Sequence, residues 1–285
     1  MVLSLVVEKK YIIADLSKDL IGKGSFGNVY AGKNSNTGDE VAIKLEKSGE
    51  DTLLKHEAQI YAVLNGMSGI PPLRSYGMDG DYNYLVTDKL GKSLGSLLDD
   101  YGGTFSLMTV INLGLRMLKY IEGIHEKGII HRDIKPDNFL IGLGPNNHNL
   151  YLIDFGFSKS FIDSSGNHEE IQYNRQMLGT ENFASIAVKN GVTPSRRDDL
   201  ESIGYVLIYF LIGTLPSKEH CVNPRLLWET HSDLPGEFLL FMNYCRNLDF
   251  YSVPNYNYLR NLLFNLHKLS KFNGINSFDW EQTSS

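Results

Sequence analysis

Short apolar runs alternate with turn residues over the first part of the chain. Runs rich in β-branched and aromatic residues are separated by Gly, Asn and Asp, a pattern typical of short strands joined by turns. The sequence predicts strands at residues 11–13, 20–21, 29–31, 41–45 and 84–87. Between the last two, apolar positions recur at helical spacing over residues 53–64. We therefore expect a small antiparallel sheet with one amphipathic helix packed on it.

The pattern changes beyond Gly91, where long helices replace strands. One helix is predicted within residues 105–128, with Ser106 as its N-cap and Gly128 as its stop, and another over residues 199–213. A sheet-rich part followed by a helix-rich part predicts an α+β fold of two lobes that share one cleft. We assign residues 1–90 to the first lobe and residues 91–285 to the second, with a hinge near residues 88–91.

Composition narrows the class of protein. A hydrophobic fraction of 42% in 285 residues excludes a disordered chain, and the lack of a long apolar run argues against a membrane span. The net charge of -6 argues against bulk binding to nucleic acid or to anionic lipid. Cys221 and Cys245 are the only cysteines, and the N-terminus does not resemble a signal peptide. We expect reduced thiols and a monomer in the cytoplasm, with the nucleus as a second location.

A glycine-rich loop lies between two predicted strands and contains Gly22, Gly24, Ser25 and Gly27. Missing side chains let main-chain amides approach phosphate oxygens closely. Alone the loop is weak evidence, because such glycines are usually only a turn. The loop returns into a strand, which disfavours a dinucleotide fold, and no Gly-Lys-Ser/Thr follows, which excludes a P-loop.

The run VAIK places Lys44 in a strand soon after this loop. Its ammonium can reach the α- and β-phosphates of a nucleotide, and Glu57 on the following helix can hold it by an ion pair. Taken singly, Lys44 could be a solvated lysine and Glu57 an exposed helix acid. Their combination with the glycine-rich loop favours phosphate binding.

Residues 131–138 read HRDIKPDN and set several functional groups at fixed offsets. Asp133 is the candidate base that orients an acceptor hydroxyl and takes its proton. Lys135 can neutralise charge on the transferred phosphoryl group, and Asn138 offers a neutral oxygen to magnesium. Asp137 fits a turn or helix-capping role.

A second magnesium ligand follows a predicted buried strand at residues 150–153. Asp154 stands there in the string Asp-Phe-Gly, so that a hard oxygen ligand sits at a strand end before a flexible glycine. Each acid could be structural when taken alone. The four motifs in this order predict phosphoryl transfer from ATP with Mg²⁺.

These motifs resemble those of eukaryotic protein kinases, from about Tyr11 to Trp280, and are most similar to the casein kinase I family. The strings that carry the resemblance are GKGSFGNVY, VAIKLE, HRDIKPDNFLIGLG, SRRDDLESIGYVLIYFLIGTLP and PNYNYLRNLLFNL. The resemblance implies the bilobal protein kinase fold and an ATP-dependent serine/threonine kinase acting on protein substrates. Lys135 resembles serine/threonine kinases rather than tyrosine kinases.

The resemblance also implies further site residues. Thr180 would lie beside Asp133 and Lys135 in the substrate-docking loop, and Asp199 would open a buried helix and brace the catalytic loop. Thr87 would be the gatekeeper of the adenine slot. The main chain of the hinge, from Asp88 to Leu90, would supply hydrogen bonds to the base. Ordinary core packing is the competing interpretation for the apolar residues that would sandwich the base, namely Ile21, Val29, Ala42, Leu140 and Ile153.

Several departures from the family bear on substrate choice. Glu181 and Asn182 stand where the family reads substrate acids partly with an arginine, Glu169 and Glu170 add negative charge, and the stretch between residues 215 and 234 is shorter. Like charges repel an anionic substrate. We therefore expect a weaker preference for phospho-primed peptides than the resemblance implies.

Two alternatives keep the same fold. An inactive scaffold would lack at least one of Lys44, Asp133, Asn138 or Asp154, and the sequence retains all four. A small-molecule phosphotransferase is disfavoured because Lys135 and the Gly179-Thr180 pair resemble kinases with protein substrates.

Overall fold

The structure, a computed structural model, describes residues 4–24, 27–49, 52–214, 229–269 and 278–281. These residues divide into two units. The first contains the residues up to Gly91 together with Gly142–Asn147 and Tyr151–Gly156, and the second contains the rest. The assignment of functional lobes on either side of residue 90 stays a prediction.

An antiparallel sheet of seven described strands forms most of the first unit. The strands are β1 (Leu5–Val7), β2 (Tyr11–Ile13), β3 (Leu20–Gly24), β4 (Gly27–Asn34), β5 (Glu40–Lys47), β6 (Leu73–Asp79) and β7 (Tyr82–Asp88). Their order is β1-β2-β4-β5-β7-β6, and β3 pairs with β4. All five predicted strands are confirmed. Strand β6 escaped prediction because its large residues Tyr76 and Met78 are on the exposed side, which inverts the usual pattern.

Alternation along β5 separates two faces of this sheet. Val41, Ile43 and Leu45 point into a hydrophobic core shared with residues of β1, β2 and β7. Ala42 and Lys44 point to the opposite face, because side chains alternate along a strand. The sequence VAIKL therefore places one lysine among apolar neighbours on the face that the core does not occupy.

Helix α1 (Leu53–Val63) packs against β6 and β7 in the same unit. Leu54, Ala58 and Tyr61 are buried at helical spacing, whereas Val63 is half exposed. The predicted amphipathic helix is confirmed. Its buried face also carries the carboxylate of Glu57.

The second unit is mainly helical in its described part. It contains α2 (Leu94–Asp100), α3 (Leu107–Glu126), α4 (Ile186–Lys189), α5 (Arg196–Ile212), α6 (Gly236–Asn247) and α7 (Tyr256–Leu269). Strand β8 (Ile129–Ile130) pairs with β11 (Lys159–Ser160), and β9 (Phe139–Ile141) is another short strand of this unit. Strand β10 (Leu150–Leu152) has Leu150 in the second unit and its other two residues in the first. The predicted α+β fold, a small antiparallel sheet with one helix followed by a larger helical part, is confirmed.

The two long helices begin and end at capping residues. The Ser106 side chain accepts a hydrogen bond from the Thr109 amide at the start of α3, as predicted. Helix α5 begins at Arg196, three residues before the predicted start, because Ser195 and Asp198 form a capping box there. Both helices are largely buried and pack against each other.

Cys245 is a buried free thiol whose pKa is raised by burial, while Cys221 lies outside the described residues. None of the helices in the described ranges has the length and apolar character needed to cross a membrane.

Candidate active site

The predicted loop glycines lie in the hairpin of β3 and β4. Gly24 pairs with Gly27, and Gly22 pairs with Val29. At Gly27 the backbone φ is +154°, and a Cβ atom would lie 2.3 Å from the carbonyl oxygen of Leu45. The neighbouring strand therefore requires glycine at this position. Ser25, a predicted cofactor contact, lies outside the described residues.

Lys44 lies at the centre of a charge cluster in the first unit. Its Nζ atom is 2.7 Å from Oε2 of Glu57 and 2.9 Å from Oδ1 of Asp154. Burial by itself lowers the pKa of Lys44, but the two carboxylates raise it above its ordinary value, so the ammonium stays protonated. The structure thus brings together three predicted site residues that lie up to 110 positions apart.

The residue after Asp154 is anchored on α1. Phe155 is fully buried, and its ring meets the ring of Tyr61 edge to face with 5.0 Å between centroids. Its main chain also hydrogen bonds to Glu57. Asp154 itself has φ of 64°, a conformation uncommon outside glycine. The anchored Phe155 and the left-handed backbone together direct the Asp154 carboxylate toward Lys44.

Some predicted base contacts share the sheet face that carries Lys44. Val29 pairs with Lys44, and Ala42 pairs with Thr87, so all four side chains lie on one face. Ile21 of β3 is 52% exposed. The face therefore combines a charged cluster with an adjacent small, mostly apolar surface.

The predicted hinge begins at the end of β7. The Asp88 carboxylate is held by Arg74 through hydrogen bonds of 2.6 and 3.1 Å. Leu90 and Ile153 belong to the same unit, whereas Leu140 lies in β9 of the second unit.

Asp133 is the centre of a polar cluster in the second unit. Its Oδ2 atom lies 2.8 Å from Nζ of Lys135 and accepts a hydrogen bond from Nδ2 of Asn138 at 3.2 Å. The Asn138 Nδ2 also donates to the Asp133 main-chain oxygen at 2.8 Å. Both bonds use the amide nitrogen, which leaves the Asn138 carbonyl oxygen as the atom that can serve a cation. The Asp133 side chain is only 2% exposed.

Thr180 closes this cluster from the activation segment, here residues 154–189. Its amide donates to Oδ1 of Asp133 at 2.8 Å, and its hydroxyl oxygen accepts from Nζ of Lys135 at 2.9 Å. Gly179 makes the approach possible, because a Cβ atom there would lie 2.6 Å from the carbonyl oxygen of Arg132. Thr180, Asp133 and Lys135 therefore form one hydrogen-bonded group.

Asp199 braces the main chain of the catalytic loop. Its carboxylate accepts the amides of His131 at 2.7 Å and Arg132 at 2.9 Å. Burial by itself raises the pKa of Asp199, but its hydrogen bonds, led by that from His125, lower it below its ordinary value. Burial lowers the pKa of His125, which is therefore neutral near pH 7.

The neutral His125 bridges two groups. A carboxylate can only accept, so Nε2–H of His125 donates to Asp199 at 3.0 Å, and Nδ1 accepts from the Tyr256 hydroxyl at 2.6 Å. Sequence reasoning missed both His125 and Tyr256. They are 131 residues apart, and although Tyr256 stands in the string PNYNYLRNLLFNL, no local signal connects it to His125.

Two oxygen donors of these clusters are of the type that magnesium binds. In the described ranges, no three His, Cys, Asp or Glu side chains converge as a metal site. Asp154 and Asn138 each offer one hard oxygen. Magnesium is usually bound by one or two carboxylates, with water and phosphate as its other ligands.

Comparison with known families agrees with these geometries. A family model described as a protein kinase domain matches residues 16–252, which is most of the 285-residue chain. The matched range contains the glycine-rich hairpin, both polar clusters and the Asp199 brace. The chain therefore belongs to the protein kinase family.

Proposed function

We propose that this protein kinase transfers the γ-phosphate of ATP to serine and threonine residues of proteins, as a casein kinase I-like enzyme. The observation that carries the proposal is the group formed by Asp133, Lys135 and Thr180, with contacts of 2.8 to 2.9 Å. This arrangement resembles that of kinases with Ser/Thr acceptors: a lysine lies two residues after the candidate base and is hydrogen bonded to a threonine of the docking loop.

In this proposal Asp133 orients the acceptor hydroxyl and takes up its proton. The nearly complete burial of its side chain supports this role, because a carboxylate held by Lys135, Asn138 and Thr180 cannot rotate freely. Lys135 neutralises charge that develops on the transferred group. Thr180 positions the acceptor segment through the same network.

The first unit would hold the nucleotide. Lys44, kept in place by Glu57, contacts the α- and β-phosphates, and the glycines of the β3–β4 hairpin offer main-chain amides. Val29, Ala42 and Thr87 would contribute to the adenine slot. The hinge main chain from Asp88 to Leu90 would hydrogen bond the base.

We propose Asp154 and Asn138 as the magnesium ligands. A bound magnesium ion neutralises phosphate charge. The contribution of this chain is to hold the two oxygens ready: Lys44 fixes the Asp154 carboxylate at 2.9 Å, and the two bonds from Nδ2 fix the Asn138 amide.

An inactive kinase-fold scaffold is the second candidate. It would be favoured by the loss or misplacement of a reacting group. Instead, each of Lys44, Asp133, Asn138 and Asp154 has a defined partner within its own unit.

We further propose a weak preference for phospho-primed sites, since Glu170 and Glu181 are exposed near the docking loop in sequence.

A peptide array with ATP and Mg²⁺ tests the proposal. We expect phosphate on Ser and Thr peptides, none on Tyr peptides, and less than about tenfold enhancement by a phosphoserine three residues before the acceptor. Binding of ATP with no phosphorylation of any peptide would favour the scaffold. Labelling of tyrosine alone would contradict the Ser/Thr assignment.

A further inference from the structure

The end of the activation segment lacks an acidic residue of its own. The sequence there reads Ala184-Ser185-Ile186-Ala187. The helix that begins there, α4, has only four residues. A helix this short is not stable by itself, so contacts with other elements must hold it.

Three side chains of the second unit form a buried polar group beside α4. We call Glu201, Tyr205 and Arg246 the anchor triad. Oε1 of Glu201 lies 3.1 Å from Nε of Arg246 and accepts from the Tyr205 hydroxyl at 2.9 Å. The Tyr205 hydroxyl in turn accepts from Arg246 at 2.7 Å. The Glu201 side chain is 5% exposed and the Arg246 side chain 16%.

The anchor triad holds both ends of α4. Glu201 Oε1 accepts the amide of Ile186 at 3.4 Å, and the ammonium of Lys189 lies 5.4 Å from the centre of the Tyr205 ring. Just before α4, the Ser185 hydroxyl donates to Asp198 of α5 at 2.5 Å. The short helix is therefore held against α5 at both of its ends.

Further contacts connect α5 to the docking loop that precedes α4. Phe183 is buried, and its ring lies 5.7 Å from that of Tyr209 on α5. A single 3-10 turn, Glu181–Phe183, connects Thr180 to Ser185. Thr180 is bonded to Asp133, so a shift of Ser185 or Ile186 would reach the catalytic cluster through five residues of chain.

We propose that Glu201, supported by Arg246 and Tyr205, is a positioning residue for the substrate-docking loop. It acts from α5 in place of an acidic residue at the end of the activation segment. The proposal rests on the protein-substrate function proposed above. A competing role is purely structural: the triad would stabilise the packing of α5 on α6 without affecting substrate binding.

A matched control exists in the same unit. Arg260 of α7 pairs with Glu122 of α3, with one N–O distance of 3.3 Å and side chains 20% and 27% exposed. This pair also joins two helices, but among the described residues neither of its side chains touches the activation segment. Glu122→Gln therefore reports the cost of losing an interhelical ion pair alone.

The test compares Glu201→Gln with Glu122→Gln in the full chain, at temperatures equally far below each melting point. For Glu201→Gln we expect the KM for a Ser peptide to rise about tenfold, with the KM for ATP within about twofold of wild type. Amide hydrogen exchange should accelerate in residues 180–189. Glu122→Gln should leave peptide KM and exchange in these residues unchanged. The double variant Glu201→Gln/Arg246→Met should be no worse than Glu201→Gln.

Equal peptide KM values for Glu201→Gln and Glu122→Gln, or unchanged exchange in residues 180–189, would overturn the proposal. If Glu201→Gln does not fold, Tyr205→Phe removes only the hydroxyl bonds and should still accelerate exchange there. The exchange measurement needs no activity. If wild type phosphorylates no peptide, the function fails, and accelerated exchange still supports the anchor while its absence refutes it.

Discussion

Two residues of the motifs carry a backbone conformation that side chains disfavour. Arg132 has φ of 69° and Asp154 has φ of 64°. A left-handed non-glycine residue costs about 1–2 kcal/mol, so other contacts must stabilise it. Asp199 accepts the amide of Arg132, and Lys44 binds the carboxylate of Asp154. Arg132 adjoins the proposed base Asp133, and Asp154 is itself a proposed magnesium ligand; such strain is commonly found at functional sites.

Gly179 offers a direct test of how closely the docking loop approaches the catalytic loop. In Gly179→Ala, the new Cβ would lie 2.6 Å from the Arg132 carbonyl oxygen and 3.2 Å from Oδ1 of Asp133. We expect kcat/KM for a Ser peptide to fall by about tenfold or more, as the Thr180 to Asp133 bond is displaced. Steady-state kinetics measure this fall.

Gly166→Ala is the matched control for that substitution. Gly166 has φ of +84°, close to the +88° of Gly179, but a Cβ atom there meets nothing within 4 Å. Both variants therefore introduce the same backbone strain, and only Gly179→Ala adds the contact. Equal losses of kcat/KM in the two variants would contradict a close approach of the two loops.

The buried carboxyl of Asp198 should make the free energy of unfolding depend on pH in an unusual way. Burial raises the pKa of its carboxyl from 3.8 to about 6, although hydrogen bonds from Ser185 and from the Ser195 main chain act to lower the pKa. The folded state therefore holds this proton at pH values where the unfolded state has lost it. This contribution is fully present below pH 4 and is lost as the pH rises through about 6.

The comparison is between wild type and Asp198→Asn, by urea unfolding from pH 4.5 to 7.5. We expect the difference in unfolding free energy, wild type minus variant, to decrease with rising pH, by up to about 3 kcal/mol between full protonation and full ionisation. A difference that stays flat across this pH range would refute the raised pKa.

At this scale the sequence predicts the residues that belong to motifs and misses their supports. Lys44, Asp133 and Asn138 are identified by spacing alone, because the motif strings set their offsets. His125 contacts Asp199 across 74 residues, and Arg246 contacts Glu201 across 45. No local pattern reports such pairs, since they form only when helices pack.

At the scale of elements, a short C-terminal turn is fastened to the start of α3. Asp279 accepts hydrogen bonds from the amide and the hydroxyl of Ser106 at 2.8 and 2.6 Å. The ring of Phe278 stacks on Trp280 with 4.5 Å between centroids, and Trp280 also meets Phe105 at 5.7 Å. The turn therefore contributes to the core of the second unit although it lies far along the chain.

Removal of the indole tests this contribution. Trp280 is 7% exposed, so Trp280→Ala should destabilise the protein by about 3–5 kcal/mol through lost burial and a cavity. Thermal unfolding measures the effect. Phe264→Ala, at a residue 44% exposed on α7, should change stability by less than about 1 kcal/mol. Equal melting temperatures for both variants would contradict the role of the turn.

Elements with strong periodicity are predicted well, and those without it are not. Helix α1 is predicted because its apolar residues recur at helical spacing, and α3 and α5 are predicted because their long, broadly apolar stretches indicate buried helices. The predicted start of α5 lies three residues late, because the apolar stretch begins only after Arg196 and Arg197. The side chains of these two arginines donate hydrogen bonds to the main-chain oxygens of Tyr251 and Leu248, respectively. Such a tertiary contact cannot be read from local propensity.

For the whole molecule, the order of the motifs carries the family assignment. The kinase match spans residues 16–252 and contains every group assigned to the reaction. The two polar clusters are complete in themselves: Lys44 with its two carboxylates in the first unit, and Asp133 with Lys135, Asn138 and Thr180 in the second. The proposed activity needs both.

The most direct measurement follows radiolabelled γ-phosphate from ATP to a Ser/Thr protein substrate in wild type, Asp133→Asn and Asp137→Asn. The account predicts labelled serine or threonine with wild type and Asp137→Asn. It predicts at least about a 10²-fold lower kcat for Asp133→Asn, with ATP binding by calorimetry retained. Full turnover by Asp133→Asn, or no transfer by a wild-type protein that binds ATP, would contradict it.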